Sequence, residues 1–88
     1  MKILITGSSG MVGQELQNHL FNHDVKTIDL LDGQDLRNCN LDYDVDVIFH
    51  LAGKSGVRKS IDNPKEYFEH NVIASRRLFE AFPNTRII

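Results

Sequence analysis

Apolar positions along this chain fall into two patterns. Short, nearly continuous runs stand at residues 2–6 (Ile3, Leu4, Ile5), 25–30 and 45–52, and another opens at 85–88. Runs of that length, rich in Val and Ile and bounded by turn residues, predict strands buried on both faces. Over residues 11–21 the pattern changes: Val12, Leu16 and Leu20 recur every four residues, the spacing of a helix with one core stripe. Asn22, Asp24 and Asp32-Gly33 supply turn chemistry. Residues 34–37 read as a very short third strand, and 38–44 are too polar for more than one helical turn. A second helix starts at Asn63-Pro64-Lys65-Glu66, where Asn63 can cap, Pro64 takes the first helical position and Glu66 can reach back. It runs to about Phe82, and Pro83 ends it. Strand, helix, strand, short strand, strand, helix, strand is the order of βαβ units. It predicts an α/β fold, a parallel sheet with helices on both faces in the order 3-2-1-4.

The junction between the first strand and first helix carries the chemistry. Thr6-Gly7-Ser8-Ser9-Gly10-Met11-Val12-Gly13 follows the strand directly, with glycines at spacing Gly-x-x-Gly-x-x-Gly. The first glycine permits a tight turn and the second lets a pyrophosphate approach bare backbone. The third lets the helix pack closely on the sheet, so that its N-terminal N–H groups and dipole face the phosphates. A connecting glycine turn does not account for all three at helix-entry spacing. No Lys-Ser/Thr pair follows, which disfavours a nucleotide triphosphatase P-loop.

Asp29 stands at the carboxyl end of the second strand, where a carboxylate can accept from both hydroxyls of an adenosine ribose and repel a 2′-phosphate. This favours NAD over NADP; the other reading is a solvated turn aspartate. Asp35-Leu36 can clasp an adenine or belong to an acidic surface loop. His50-Leu51-Ala52-Gly53 closes the fourth predicted strand, with small residues that let a ligand pass close. His50 reads as a hydrogen-bonded core histidine rather than a catalytic group. Lys54, Arg58 and Lys59 follow, either as a phosphate-steering cluster or as a solvated basic loop. On the second helix Asn71 shares a face with Tyr67, Ala74 and Leu78, so it either ties the helix to the loop at 51–53 or lines the crevice.

With 88 residues the chain holds one small domain, and a net charge of −2 gives no reason to expect nucleic acid or a membrane surface as partner. Its one cysteine, Cys39, excludes an internal disulfide and suits a cytoplasmic, reducing setting. No stretch has the length of a membrane span or signal peptide.

Together, the glycine motif, Asp29, Asp35-Leu36-Arg37, His50-Leu51-Ala52-Gly53 and Asn63-Pro64-x-x-Tyr67-x-x-x-Asn71 resemble the extended short-chain dehydrogenase/reductase family. They look most like its NAD-dependent nucleotide-sugar epimerases and dehydratases, and Gly56-Val57-Arg58-Lys59-Ser60 with Asn63-Pro64 is similar to UDP-sugar 4-epimerases. The resemblance implies a Rossmann-type fold and NAD as cofactor. It implies Gly7, Ser9, Gly10, Met11, Val12 and Gly13 at the pyrophosphate, Asp29 at the ribose, and Asp35 and Leu36 at adenine. Leu51, Ala52 and Gly53 would run along the cofactor, with Asn71 beside it. The implied reaction is hydride abstraction from a sugar carbon and its return to a keto-sugar. The family's catalytic Tyr-x-x-x-Lys pair is absent: four residues after Tyr43 and Tyr67 stand Val47 and Asn71. The expectation is therefore an incomplete, truncated Rossmann portion over residues 1–88, without catalytic residues or metal, meeting a nucleotide sugar only in a full-length form. The unpaired edge of the fourth predicted strand is expected to favour self-association. The alternatives are a non-catalytic nucleotide-binding or regulatory module, or a gene remnant.

Overall fold

The computed structural model describes residues 1–53 and 62–88. Four parallel strands form the sheet: β1 (Lys2–Thr6), β2 (Asp24–Ile28), β3 (Val47–His50) and β4 (Arg86–Ile87), in the order β2-β1-β3-β4. Central β1 pairs Lys2 with Asp24 on one side and Ile3 with Val47 on the other. Helix α1 (Met11–His19) connects β1 to β2, and a 3₁₀ turn (Leu30–Asp32) follows β2. Between β3 and β4 runs a helical segment in three parts: α2 (Pro64–Phe68), a π turn (Glu69–Ile73) and α3 (Ala74–Ala81).

Side-chain alternation divides the core in two. Leu4, Ile28 and Ile48 project to one face, where Leu36, Ala74, Leu78 and Phe82 cover them. Ile3, Ile5 and Val47 project to the other, with Leu16, Leu20, Val25 and Phe49 packed around them. Leu4, Ile5, Ile48 and Leu78 are wholly buried, each contributing about 1.5–3 kcal/mol by leaving water. With helices on both faces, this is the doubly wound architecture that the pattern predicts.

Four expectations are corrected. Residues 34–37 do not form a strand, so the predicted order 3-2-1-4 becomes β2-β1-β3-β4. The Asp35 carboxylate accepts from the Arg37 amide and the Asp35 carbonyl from the amides of Asn38 and Cys39. A backbone closed on itself in this way has no ladder to offer β2. Val12 is exposed, not part of the core stripe, which Leu16 and Leu20 carry. Asn63 makes no side-chain cap, although Pro64 does open the helix. Finally, the edge of β3 is not left open. It pairs with β4 through Val47 and Ile48, and Ile88 extends the ladder by accepting from the His50 amide and donating to Ile48.

Candidate nucleotide-binding site

At the end of β1 the chain turns through Gly7, whose φ of +71° lies in the left-handed region that glycine tolerates. A Cβ there would sit 2.7 Å from the Ala52 nitrogen and from the Leu51 carbonyl carbon, both backbone. A Cβ on Gly13 would meet the Gly7 oxygen at 2.6 Å and the Ser8 Cα at 2.8 Å. These two glycines therefore let three backbone segments close on one another. Gly10 differs: an added Cβ would have only the Gly7 oxygen near it, at 3.4 Å. Its missing side chain leaves room for something outside the chain. The Gln14 and Gln17 amides hold the carbonyls of Ser9 and Ser8, and the amides of Met11, Val12 and Gly13 open α1, the turn that lacks intrahelical acceptors.

Asp29, just past β2, is buried rather than solvated, and it joins the two loops of the site. Its Oδ2 accepts from the Ser9 amide and its Oδ1 from the Leu31 amide, both at 2.9 Å. Burial opposes the charge, but the donors from Ser9 and Leu31 outweigh it and hold the carboxyl below its usual range. The Ser9 hydroxyl adds to this, and a carboxylate with four lone pairs still has acceptor capacity for a ligand hydroxyl. Asp35 is engaged more fully. Arg37 grips both its oxygens, with Nη2 to Oδ2 at 2.6 Å, and reaches Glu69 on the π turn at 3.0 Å. The Arg37 guanidinium, opposed by partial burial, brings the Asp35 carboxyl down to about 2. Beside it Leu36 is buried and belongs to both the core and the site.

These segments enclose an open cavity of about 240 Å³ at the carboxyl ends of β1, β2 and β3. Gly7, Ser9, Gly10, Asp29, Asp35, Leu36, Leu51, Ala52 and Gly53 all line it. Met11, Val12, Gly13 and Asn71 stand outside its lining. Met11 and Val12 project outward from the start of α1, and Gly13 is buried beneath the turn. Asn71 approaches from the helix, its Oδ1 lying 2.9 Å from where a Cβ on Gly53 would be. His50, as expected of a core histidine, uses both ring nitrogens on protein partners, Thr6 and Ser75. Lys54, Arg58, Lys59 and the Gly56–Ser60 motif lie outside the described residues.

Sequence reasoning missed Ile28, Leu30, Gln34, His70 and Ala74 as cavity-lining residues. Ile28 and Leu30 merely flank Asp29. His70 carried a readable signal, because 70, 74 and 78 form one i, i+4 row, and Ala74 and Leu78 are both buried. The helix widens into a π turn at Glu69–Ile73, and the His70 side chain on it is only 10% exposed. Such turns are frequent at functional sites.

The model of the NAD dependent epimerase/dehydratase family matches residues 3–87. The UDP-glucose 4-epimerase of Mycoplasma genitalium is 34% identical over 79 residues, covering 78% of this chain and 23% of that protein. Among solved structures, a dTDP-4-dehydrorhamnose reductase from Clostridium acetobutylicum superposes with a TM-score of 0.86 at 28% identity. It covers 99% of this chain and 34% of its own. MoeE5, solved with UDP-glucose and NAD, superposes at 0.77 with 31% identity, over 93% of this chain and 32% of its own. The chain thus spans a quarter to a third of the length of these relatives. No helix among the described residues is long and apolar enough to cross a membrane. With a doubly wound sheet, a glycine turn at its centre and a family match along nearly its whole length, the chain belongs to the NAD dependent epimerase/dehydratase family.

Proposed function

We propose that this chain binds NAD in the cavity above β1, β2 and β3. The observation that carries the reading is the junction of Gly10 and Asp29. Gly10 leaves open space beside the N-terminus of α1, and Asp29 holds the Ser9 amide of the same turn while keeping lone pairs toward the cavity. A pyrophosphate fits the first feature and a ribose diol the second. At about 240 Å³ the cavity is smaller than typical ligand sites of roughly 300–1,000 Å³, which suits the adenosine end of a dinucleotide. In this reading Gly7, Ser9 and Gly10 face the pyrophosphate, with Met11, Val12 and Gly13 contributing backbone amides. Asp35 and Leu36 border the adenine, residues 51–53 run along the cofactor, and Asn71 steadies Gly53.

When bound, the nicotinamide supplies a hydride acceptor and donor, the chemistry for oxidising a sugar carbon and reducing it again. The chain's own part is to hold that cofactor. No tyrosine in the sequence is followed four residues later by lysine, so we assign the chain alone binding without turnover, and a nucleotide-sugar substrate only to a longer form. Cys39 as the single cysteine supports a reducing, cytoplasmic setting. Addition of a strand from a second copy is proposed for the outer edge of β4, not for β3. Calorimetric titration with NAD, NADP and UDP-glucose tests the assignment. Saturable NAD binding with weaker NADP binding is expected, and absence of NAD binding overturns it.

A further inference from the structure

A continuous hydrogen-bonded path crosses the molecule behind the cavity, and its polarity can be worked out from one end. The Ser75 hydroxyl donates to the Asn71 carbonyl at 2.9 Å, and a carbonyl can only accept. That hydroxyl has one proton, so its contact with His50 Nε2 at 2.7 Å requires a proton on Nε2. A neutral imidazole then has a bare Nδ1, which accepts from the Thr6 hydroxyl at 2.7 Å. Thr6 Oγ1 in turn accepts from the Ala52 amide at 3.2 Å. The path reads Ala52 N–H to Thr6, Thr6 O–H to His50, His50 Nε2–H to Ser75, and Ser75 O–H to the π turn. Thr6 is wholly buried and the Phe79 ring lies edge-on to the imidazole at 6.2 Å. Burial also pushes the imidazole pKa down, toward the neutral form.

Resting on the NAD reading above, we propose that His50 is a positioning residue that works as the neutral Nε2–H tautomer. It locks the Ala52 wall of the cavity, through Thr6, to the π turn that carries His70 and Asn71. The Leu51 amide bonds the Thr6 carbonyl, whereas the Ala52 amide bonds the Thr6 side chain. His70, Ala74 and residues 51–53 line the cavity from opposite ends of the path, so its closure sets the cavity's width. The reach from Ala52 to the helix is made by side chains alone, which is why it can be broken without disturbing the ladder between β1 and β3.

The test uses the 88-residue chain, with imidazole ¹⁵N spectra, amide exchange at Ala52 and NAD titration. The spectra are expected to show the Nε2–H tautomer. Thr6→Val keeps the side-chain shape and removes the hydroxyl; it should speed Ala52 exchange and weaken NAD roughly ten-fold, the scale of one buried hydrogen bond. Thr6→Ser, which restores the hydroxyl, should return both to wild-type values. Ser75→Ala, the milder variant, should shift the tautomer equilibrium even if Thr6→Val does not fold. An Nδ1–H tautomer in the wild type overturns the proposal, as does a folded Thr6→Val with unchanged Ala52 exchange. Failure of the wild type to bind NAD overturns the cofactor reading instead, and leaves the tautomer and exchange results to decide the positioning role.

Discussion

At the residue scale the three glycines of the turn have separable duties. Gly13 is required by the chain itself, since a methyl group there would run into the backbone of Gly7 and Ser8. Gly13→Ala should therefore cost about 1–3 kcal/mol, the usual penalty for overpacking, seen as a lowered urea midpoint. Gly10 has no such neighbour and its extended backbone accepts any residue. Gly10→Val should lose no more than about 1 kcal/mol of helix capping yet abolish NAD binding. Loss of stability in place of binding would place the pyrophosphate elsewhere. Asp29 makes the third residue-level prediction. Asp29→Ala removes a charged acceptor and should weaken NAD by about 1–3 kcal/mol while narrowing the gap to NADP, measured as two dissociation constants. An equal loss for both would mean that Asp29 only holds the Ser9 amide in place. The glycines and Asp29 were legible because spacing and strand ends are written in sequence. The distinction between Gly10 and Gly13 was not, because it depends on which backbone comes near.

At the scale of elements, the informative departures lie where local hydrogen bonds override pattern. The order of elements leaves room for a very short strand at 34–37, but Asp35 turns the chain back on itself and Arg37 secures the turn to Glu69. Arg77 adds a second tie, donating to the carbonyls of Leu36 and Cys39. Helix phase was legible at Ala74 and Leu78, and the same i, i+4 row reaches His70, although the widened turn around it leaves no mark in periodicity. The Asp35–Arg37 clamp has a pH signature. The folded carboxyl sits at about 2, below its ordinary 3.8, so the ionised form is favoured by folding. The stability it contributes is complete above about pH 4 and is lost as pH falls toward 2. Arg37→Gln should remove that part of the acid dependence. In thermal melts at pH 5 and pH 2.5, wild type should drop further than the variant; equal drops would show that the clamp does not support the fold.

For the whole molecule, the sheet places its chemistry at one end. The fold class was readable because β1 and β3 carry apolar runs, Ile3–Ile5 and Val47–Phe49, and the helices between strands are periodic. The order was misjudged only by counting a strand that is a turn. What results is a cavity whose walls come from three separate crossings of the chain: the turn after β1, the end of β2 with the 34–36 segment, and the end of β3 facing the π turn. A ligand spanning these walls contacts every unit that must separate on unfolding, so it should stabilise the chain globally. At a hundred-fold excess over its dissociation constant, NAD should add about 2.7 kcal/mol. For a small domain, where each kcal/mol shifts the midpoint by roughly 4–8 °C, the melting temperature should rise by more than ten degrees. ADP, which carries the adenosine and pyrophosphate but no nicotinamide, should produce most of the same shift at matched saturation if, as proposed, the lining residues face that end. Gly10→Val should melt near the unliganded wild type and show no shift with either ligand. A shift with NAD but none with ADP would move the main contacts to the nicotinamide side. A shift that persists in Gly10→Val would detach ligand binding from the glycine turn.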